Sequence, residues 1–205
     1  MKKQTALIFG DRGGIGSATR KMFLQNGFRI IPVNSSIIDF NKSSADQEIR
    51  GLLANARPDV IINCAGVFEN GWEQDHTRTM NVNFGSNWSV VRHYMNPENQ
   101  NHATRVIMVG SSSYVGGKKL YPLYSASKAA LYNLWQGVKG SLEGTNITID
   151  LINPVRTLTQ MSTAGKEIDP KLDYLRPEQV AEQIYKLVKE NQTSRCVDMT
   201  FKEAT

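Results

Sequence analysis

The sequence predicts a single α/β domain, doubly wound around a mainly parallel sheet of about seven strands. Short runs of consecutive apolar residues alternate along the chain with helical patterns, as in a parallel sheet that helices cover on both faces. The length of 205 residues suits one domain of ordinary size. No internal repeat or low-complexity linker divides residues 1–205, so we expect one domain over the whole chain.

The apolar runs and the helical patterns between them set the expected order of the elements. Residues 37–39 follow the second apolar run after only three residues, so they would form a very short third strand. Residues 154–173 lack clear periodicity and are long for a connection, which suggests a loop or lid over the site. We place strands at 5–9, 28–33, 37–39, 60–63, 105–109, 147–152 and 196–200, and helices at 17–25, 44–54, 82–94, 124–137 and 177–189.

Composition and charge restrict the classes of function. No run approaches the roughly 18 apolar residues of a membrane span. The N-terminus shows no secretory pattern, so we expect a cytoplasmic protein that contacts no membrane. Two isolated cysteines and three scattered histidines predict neither disulfides nor a metal site. The net charge of +5 comes from dispersed basic residues, which favours an anionic small ligand over nucleic acid.

A glycine-rich loop directly follows the first predicted strand. Gly10, Gly13, Gly14 and Gly16 are four glycines within seven residues, and a helical pattern begins after them. Such a loop lets backbone N–H groups approach a pyrophosphate, and the helix N-terminus adds a partial positive charge. A turn that needs a positive φ would account for one or two of these glycines but hardly for four.

A tyrosine and a lysine lie one helical turn apart at the start of the predicted helix 124–137. Tyr124 and Lys128 share one face of that helix, so the ammonium would lower the pKa of the phenol and let it exchange a proton near neutral pH. On its own this pair is a common surface pattern. Ser111 lies thirteen residues earlier, at the end of a predicted strand, where doubly wound folds place their ligands. Ser112 is the alternative at this strand end.

In order and spacing, these segments resemble the short-chain dehydrogenase/reductase family over essentially the whole chain. The glycine loop matches the family's cofactor loop, and residues 63–66 match its NNAG segment, with Cys64 in place of the second asparagine. Asn153 and Pro154 match the start of its PG motif, although Val155 stands where glycine is usual. The resemblance implies a Rossmann fold and a nicotinamide-dependent oxidoreductase. The residues that match the family's catalytic tetrad are Asn83, Ser111, Tyr124 and Lys128.

The resemblance also implies a role for each of these residues. Tyr124 would protonate the carbonyl oxygen of the substrate as hydride arrives, and Ser111 would hold and polarise that carbonyl. Lys128 would lower the pKa of the tyrosine and bind the nicotinamide ribose. Asn83 would hold a water in a proton relay, unless it or the neighbouring Asn81 simply caps or bends its helix. The implied cofactor-binding residues are Gly10, Arg12, Gly14, Ile15, Gly16, Asn34, Ser35, Asp39, Asn63, Ala65, Gly66, Tyr124, Lys128, Pro154, Thr157 and Thr159.

The expected cofactor is NADP(H). Sites for NAD usually place a carboxylate at the end of the second strand to accept a hydrogen bond from the ribose 2′-OH. That position is Asn34, and Ser35 follows it. Arg12 in the glycine loop could reach a 2′-phosphate, which a guanidinium binds well. Arg12 could also be solvated, with Asn34 binding either form of the ribose. By analogy with the family, Asp39 would lie near the adenine.

Within the family, three segments resemble the reductase half of bifunctional CDP-ribitol synthases, which reduce ribulose 5-phosphate to ribitol 5-phosphate for surface polymers. The segments are 111–114, 124–130 and 152–161, and two departures from the pattern are Gln160 and Ser162. A phosphorylated ketose needs cations near the site of hydride transfer. The candidates are Arg156, Lys118 and Lys119.

Other interpretations of the substrate and the partners stay open. Arg156 could contact a cofactor phosphate while Lys118 and Lys119 are solvated. The protein could then be a general reductase of unphosphorylated carbonyls, or a sensor that binds NADP(H) without turnover. The family commonly pairs through the helices predicted at 82–94 and 124–137, so we expect a homodimer or homotetramer. Large apolar side chains on these helices, which could equally be core, are Trp88, Tyr132, Leu134 and Trp135.

Overall fold

Six parallel strands form one sheet that lies between two layers of helices. The structure is a computed structural model, and it describes residues 3–69, 75–163, 169, 171–190 and 193–201. The strand order is β2-β1-β3-β4-β5-β6, and every neighbouring pair is parallel. The strands are β1 (Thr5–Phe9), β2 (Arg29–Val33), β3 (Val60–Asn63), β4 (Thr104–Val109), β5 (Ile147–Pro154) and β6 (Cys196–Met199).

The helices cover both faces of this sheet. The first and last helices contact each other on one face, and α2, α4 and α5 pack on the other. A π-helical turn at Asn81–Gly85 joins α3 to α4 without a break. No described helix is long and apolar enough to cross a bilayer. The helices are α1 (Gly14–Gln25), α2 (Ala45–Ala56), α3 (His76–Met80), α4 (Ser86–Tyr94), α5 (Pro122–Lys139), α6 (Gln160–Thr163) and α7 (Pro177–Lys189).

The continuous apolar runs are explained by burial on both faces of the sheet. In β1, Leu7 and Phe9 face the layer of α2, α4 and α5, whereas Ala6 and Ile8 face α1 and α7. All four residues have no exposed surface. A strand covered on both sides has no polar face, so its sequence does not alternate. The predicted doubly wound α/β class is confirmed.

The predicted third strand at 37–39 is wrong, and the described residues form a sheet of six strands rather than about seven. The backbone N–H groups of Ile37 and Ile38 both donate to the carbonyl of Asn34, at 2.8 and 3.0 Å, so the chain turns here. Ile38 is 4% exposed and belongs to the core, while Ile37 is 53% exposed. One buried side chain therefore explains the apolar pattern without a strand.

The segment predicted as a loop or lid has partly regular structure. Strand β5 continues to Pro154, and Thr157 forms an isolated parallel bridge with Leu175. Helix α6 follows within the same segment. Residues 164–168 and 170 of the predicted lid lie outside the described residues.

The two tryptophans expected at a subunit interface differ in their exposure. Trp135 is 6% exposed, and its indole N–H donates to the carbonyl of Ile149 at 3.0 Å. It is therefore a core residue, and its predicted place at an interface is wrong. Trp88 on α4 is 43% exposed, so it remains available for such a contact.

Candidate active site

A cleft opens at the carboxyl ends of the strands, where β1 has β2 on one side and β3 on the other. The connection after β1 runs to β2 and the connection after β3 runs the opposite way to β4, and doubly wound sheets bind their ligands at such a reversal. The cleft has a volume of about 380 Å³. A groove of about 410 Å³ between α2 and α4 holds none of the predicted catalytic residues. The predicted site residues that line the cleft are Arg12, Gly14, Ile15, Gly16, Ala65, Gly66, Tyr124, Lys128 and Thr159.

The glycine loop is packed too closely for side chains at two of its positions. Gly10 has φ +70°, and a Cβ there would lie 2.8 Å from the Cα of Ala65, in the loop after β3. A Cβ on Gly16 would lie 2.1 Å from the carbonyl oxygen of Gly10. Helix α1 has no capping side chain and no acidic residue in its first turn. The partial positive charge of its N-terminus therefore faces the cleft unneutralised, as a pyrophosphate requires.

A buried carboxylate, which the sequence did not predict as functional, braces this loop from the side of β2. Asp11 is 3% exposed and accepts a hydrogen bond from Nδ2 of Asn34 at 3.0 Å. Arg20 lies 3.6 Å from its other oxygen. The side-chain oxygen of Asn34 accepts from both the backbone and the hydroxyl of Ser36. Asn34 therefore ties the loop after β1 to the end of β2, and Arg12 stays exposed.

Tyr124 stands in the first turn of α5, which Pro122 begins. Burial raises the pKa of Tyr124, a hydrogen bond with Ser111 acts against this rise, and the nearby Tyr121 adds to it. The predicted net lowering of this pKa is wrong, because burial outweighs the hydrogen bond with Ser111. The hydrogen bond also selects Ser111 over Ser112 as the serine that meets the phenol.

Lys128 is buried one helical turn beyond Tyr124. It is 5% exposed, and its Nζ donates to the carbonyl oxygen of Val109 at 2.9 Å. Burial lowers the pKa of Lys128 from 10.5 to about 8, although Cys64 acts in the opposite direction. Its Nζ lies 5.7 Å from the centroid of the Tyr124 ring. The structure thus brings Ser111, Tyr124 and Lys128 together, as predicted from their spacing, and their catalytic roles stay predictions.

Asn83 has its side chain fully committed to bracing the site. It is completely buried, and its amide forms two hydrogen bonds with the backbone of Val67, at 2.8 and 3.1 Å. Its Nδ2 also donates to the hydroxyl of Ser127, which follows Tyr124 on α5. The backbone carbonyl of Asn83 accepts from Asn87. Asn83 therefore joins the loop after β3 to α5, and its role in a water relay stays a prediction.

Several residues predicted to bind the cofactor lie outside the cleft. Asn63 is 1% exposed, donates to Ser86 and accepts from the N–H of Ala65, so it shapes the turn after β3. The remaining ones, which do not line the cleft, are Gly10, Asn34, Ser35, Asp39, Pro154 and Thr157.

The three predicted substrate cations are not gathered around the cleft. Arg156 is exposed, lies 5.5 Å from the ring centroid of Tyr174 and donates to the carbonyl of Asp173 at 3.3 Å. Lys118 and Lys119 are exposed in the loop that leads to α5. Among the described residues, no group of three or more histidine, cysteine, aspartate or glutamate side chains could hold a metal ion.

Two aromatic residues that the sequence did not predict flank the phenol of Tyr124. Phe68 packs edge-on against Tyr124, with ring centroids 5.0 Å apart, and against Tyr121 at 4.9 Å. The rings of Tyr121 and Tyr124 lie 6.1 Å apart. Tyr121 could have been suspected because it precedes Tyr124 by three residues at a helix start, whereas nothing local marks Phe68.

The family model for short chain dehydrogenases matches residues 38–169 of this chain. The chain belongs to the short-chain dehydrogenase family. It is 27% identical over 212 residues to the bifunctional ribulose 5-phosphate reductase/CDP-ribitol pyrophosphorylase of Haemophilus influenzae, and the match covers 99% of this chain. The chain spans only 44% of the length of that relative. With the acetoacetyl-CoA reductase of an Acinetobacter strain it shares 23% identity over 198 residues, which cover 81% of this chain and 79% of the relative.

Two solved structures with bound nicotinamide cofactors share the fold. One is 4-hydroxyisoleucine dehydrogenase complexed with NADH, with a TM-score of 0.81 and 20% identity over 99% of this chain and all of the other. Another is BdcA in complex with NADPH, with a TM-score of 0.79 and 18% identity over 95% and 93% of the two chains. The predictions of a Rossmann-type fold and of an oxidoreductase that acts on alcohol or carbonyl groups are confirmed.

Proposed function

We propose that this protein reduces ribulose 5-phosphate to ribitol 5-phosphate with NADPH, as a step in making a capsule or wall polymer. One observation carries the choice of substrate. The similarity to the ribulose 5-phosphate reductase/CDP-ribitol pyrophosphorylase extends over 99% of this chain, whereas the similarity to acetoacetyl-CoA reductase covers 81%.

The contacts of Ser111, Tyr124 and Lys128 support carbonyl reduction. NADPH, when bound, supplies the hydride that adds to the carbonyl carbon. Tyr124, whose raised pKa keeps it protonated at neutral pH, gives its proton to the carbonyl oxygen. Ser111 reaches the same phenol and would hold the carbonyl oxygen beside it. Hydride and proton together convert the ketone into a secondary alcohol.

The charges of the loop after β1 support NADPH over NADH. Arg12 is exposed, and it forms no ion pair with any residue that the structure describes. Asn34 occupies the position where NAD sites carry an acid. The nearby carboxylate of Asp11 is buried and already accepts a hydrogen bond from Asn34. The 2′-phosphate would thus meet a free guanidinium, while the carboxylate of Asp11 is already engaged.

Arg156 could turn toward a substrate phosphate at little cost. Its cation–π contact with Tyr174 is exposed and contributes about 0.5–1 kcal/mol. Its hydrogen bond to Asp173 is long, at 3.3 Å. A charge-assisted bond to a phosphate dianion is roughly twice as strong as a neutral hydrogen bond, so the exchange favours the phosphate. Lys118 and Lys119 would add charge from the loop before α5.

A reductase of less polar carbonyls is the second candidate function. The aromatic side chains of Phe68 and Tyr121 beside Tyr124 favour it, because they offer an apolar surface next to the reactive phenol. The similarity to acetoacetyl-CoA reductase agrees with it. A sensor without turnover is disfavoured, because Tyr124 and Lys128 line the cleft and Ser111 hydrogen-bonds with the phenol of Tyr124.

The test is NADPH oxidation, followed by absorbance, with ribulose 5-phosphate, free ribulose and acetoacetyl-CoA as alternative substrates. We expect the highest kcat/KM with ribulose 5-phosphate. Arg156→Ala should raise the KM for ribulose 5-phosphate about tenfold and leave that for free ribulose unchanged. Lys186→Ala, which removes an exposed cation on α7, is the control. A preference for acetoacetyl-CoA would contradict the proposal and support the second candidate.

We also propose that the protein forms a homodimer or homotetramer through α4 and α5. The exposed indole of Trp88 on α4 supports this. Light scattering at micromolar concentration should give a multiple of the chain mass of 22.9 kDa. A monomer would contradict it.

A further inference from the structure

A row of hydrogen bonds runs from the edge of the sheet to the strand end that carries Ser111. Asn153, at the end of β5, accepts the backbone N–H of Ser111 through Oδ1 at 3.2 Å. Its Nδ2 donates to Oδ1 of Asp198, on the edge strand β6, at 2.9 Å. The phenol of Tyr114 donates to the other oxygen of Asp198 at 2.9 Å. We call these residues the Asp198–Asn153 brace.

The two ends of the brace fix the orientation of the Asn153 amide. The N–H of Ser111 can only donate and the carboxylate of Asp198 can only accept, so Oδ1 must face the serine and Nδ2 the aspartate. The amide is buried, with 1% of Asn153 exposed, so an unpaired polar atom there would be costly. Gly110 leaves the space for this contact, because a Cβ on it would lie 2.0 Å from Oδ1 of Asn153.

Tyr114 holds the outer end of the brace, although Asp198 itself is exposed. The ring of Tyr114 stacks on Tyr132 of α5, with centroids 4.3 Å apart and an interplanar angle of 23°. Burial, followed by the contact with Asp198, raises the pKa of Tyr114 to about 12, so its hydroxyl stays a donor. An exposed carboxylate that receives two hydrogen bonds from fixed donors loses its rotational freedom. The brace is thus anchored on β5, β6 and α5 at once.

We propose that Asp198 is a positioning residue that acts through Asn153 to hold Ser111 in hydrogen-bonding reach of Tyr124. Asp198 does not line the cleft, so it acts on the reaction only through the serine. A shift of roughly 1 Å in a group that orients the substrate can lower a rate by about a hundredfold. The consequence for turnover rests on the proposed function, in which Ser111 polarises the carbonyl. The positioning itself does not.

Asp198→Ala and Asp198→Asn separate positioning from general stabilisation. Alanine removes both acceptors. Asparagine can still accept from Asn153 through Oδ1 and can donate to the phenolic oxygen of Tyr114. Tyr114→Phe removes one bond of the brace and keeps the stacked ring. Tyr132→Phe is its matched control, because it keeps the same ring pair and loses only a bond from Gln136. Glu182→Ala, an exposed acid on α7, is the control for loss of a surface carboxylate.

Two measurements are made on each variant: hydrogen–deuterium exchange of a peptide covering 110–114, and turnover of ribulose 5-phosphate. For Asp198→Ala we expect exchange at the Ser111 amide to be at least about tenfold faster and kcat to fall about tenfold or more. The affinity for NADPH should match that of Glu182→Ala. The unfolding midpoint should fall by only a few degrees, because Asp198→Ala takes one hydrogen bond from the buried Nδ2 of Asn153. Asp198→Asn should stay within about threefold of the parent protein in both measurements. Tyr114→Phe should lie between the two Asp198 variants, and Tyr132→Phe should match the parent.

Unchanged exchange at Ser111 in Asp198→Ala would overturn the proposal. It would also be overturned if Asp198→Ala lowered the unfolding midpoint by more than a few degrees and speeded exchange across the whole sheet, since that is the result of a purely structural role. If the parent protein reduces no carbonyl compound, the proposed function fails. The exchange data still decide whether Asp198 positions Ser111.

Discussion

Replacing Gly16 by alanine tests whether the close packing of the glycine loop sustains both the fold and the cofactor site. The added Cβ would lie 2.1 Å from the carbonyl oxygen of Gly10 and 2.8 Å from its carbonyl carbon. To relieve this clash, the backbone of the loop must shift by roughly 1 Å. Gly10 cannot move away freely, because it already lies against the backbone of Ala65. Overpacking of this kind costs about 1–3 kcal/mol. At this chain length about 2 kcal/mol corresponds to a fall in Tm of roughly 4–8 °C.

Gly13→Ala is the matched control for Gly16→Ala, since it adds the same methyl group to the same loop. Its Cβ would meet only the carbonyl oxygen of Gly10, at 3.4 Å, and φ at Gly13 is an ordinary −71°. We expect a change in Tm within about 1 °C. Thermal unfolding followed by circular dichroism and titration with NADPH check both variants. Gly16→Ala should bind NADPH at least about tenfold more weakly. Equal behaviour of the two variants would refute the reasoning.

Three further substitutions test individual side chains of the cleft. Tyr124→Phe should lower kcat for carbonyl reduction about a hundredfold or more and leave the Kd for NADPH unchanged, because only the proton donor is lost. Arg12→Ala should weaken NADPH binding about tenfold with no change for NADH, and an equal loss for both cofactors would place Arg12 elsewhere. Lys128→Met should abolish the rise in the free energy of unfolding that we expect of the parent protein between about pH 8 and pH 10.5. The unfolded chain keeps the lysine proton up to about pH 10.5 while the folded protein releases it near pH 8, so stability rises with pH in that window, by about 3 kcal/mol. Urea unfolding at pH 7 and pH 10 measures this rise in the free energy of unfolding. If the parent and Lys128→Met differ in that free energy by the same amount at both pH values, burial of the lysine charge is not the cause.

The fold was predictable from the sequence because its signals are local. Burial on both faces leaves continuous apolar runs such as that of β1, and the residues at helix ends, such as Pro177 at the start of α7, mark the boundaries. The one wrong strand shows the limit of this logic. Ile37 and Ile38 resemble a short apolar run, but only Ile38 reaches the core, and periodicity over three residues cannot distinguish a turn from a strand.

The site was predictable where it depends on a sequence motif. It was not predictable where it depends on hydrogen bonds between residues that lie far apart in the sequence. Tyr124 and Lys128 are related by helix geometry, so their spacing was enough. The pairing of Asp11 with Asn34 spans 23 residues and that of Asn153 with Asp198 spans 45. Such pairs depend on which strands become neighbours and in which register. The outward placement of Arg156 depends equally on Tyr174, in a segment that shows no periodicity.

The electrostatics of the cleft agree with Tyr124 as the proton donor of the proposed reaction. Burial raises the pKa of Tyr124, so the phenol holds its proton at neutral pH and can donate it to a carbonyl oxygen. The same burial disfavours the phenolate, which is the product of this proton transfer in reduction and the base in oxidation. Lys128, with a pKa of about 8, is still mostly charged at pH 7 and lies 5.7 Å from the ring. In the proposed reaction its charge would stabilise the phenolate that forms once the proton has been given up. This assistance would fade as the pH rises through 8, so we expect carbonyl reduction to be fastest near neutral pH.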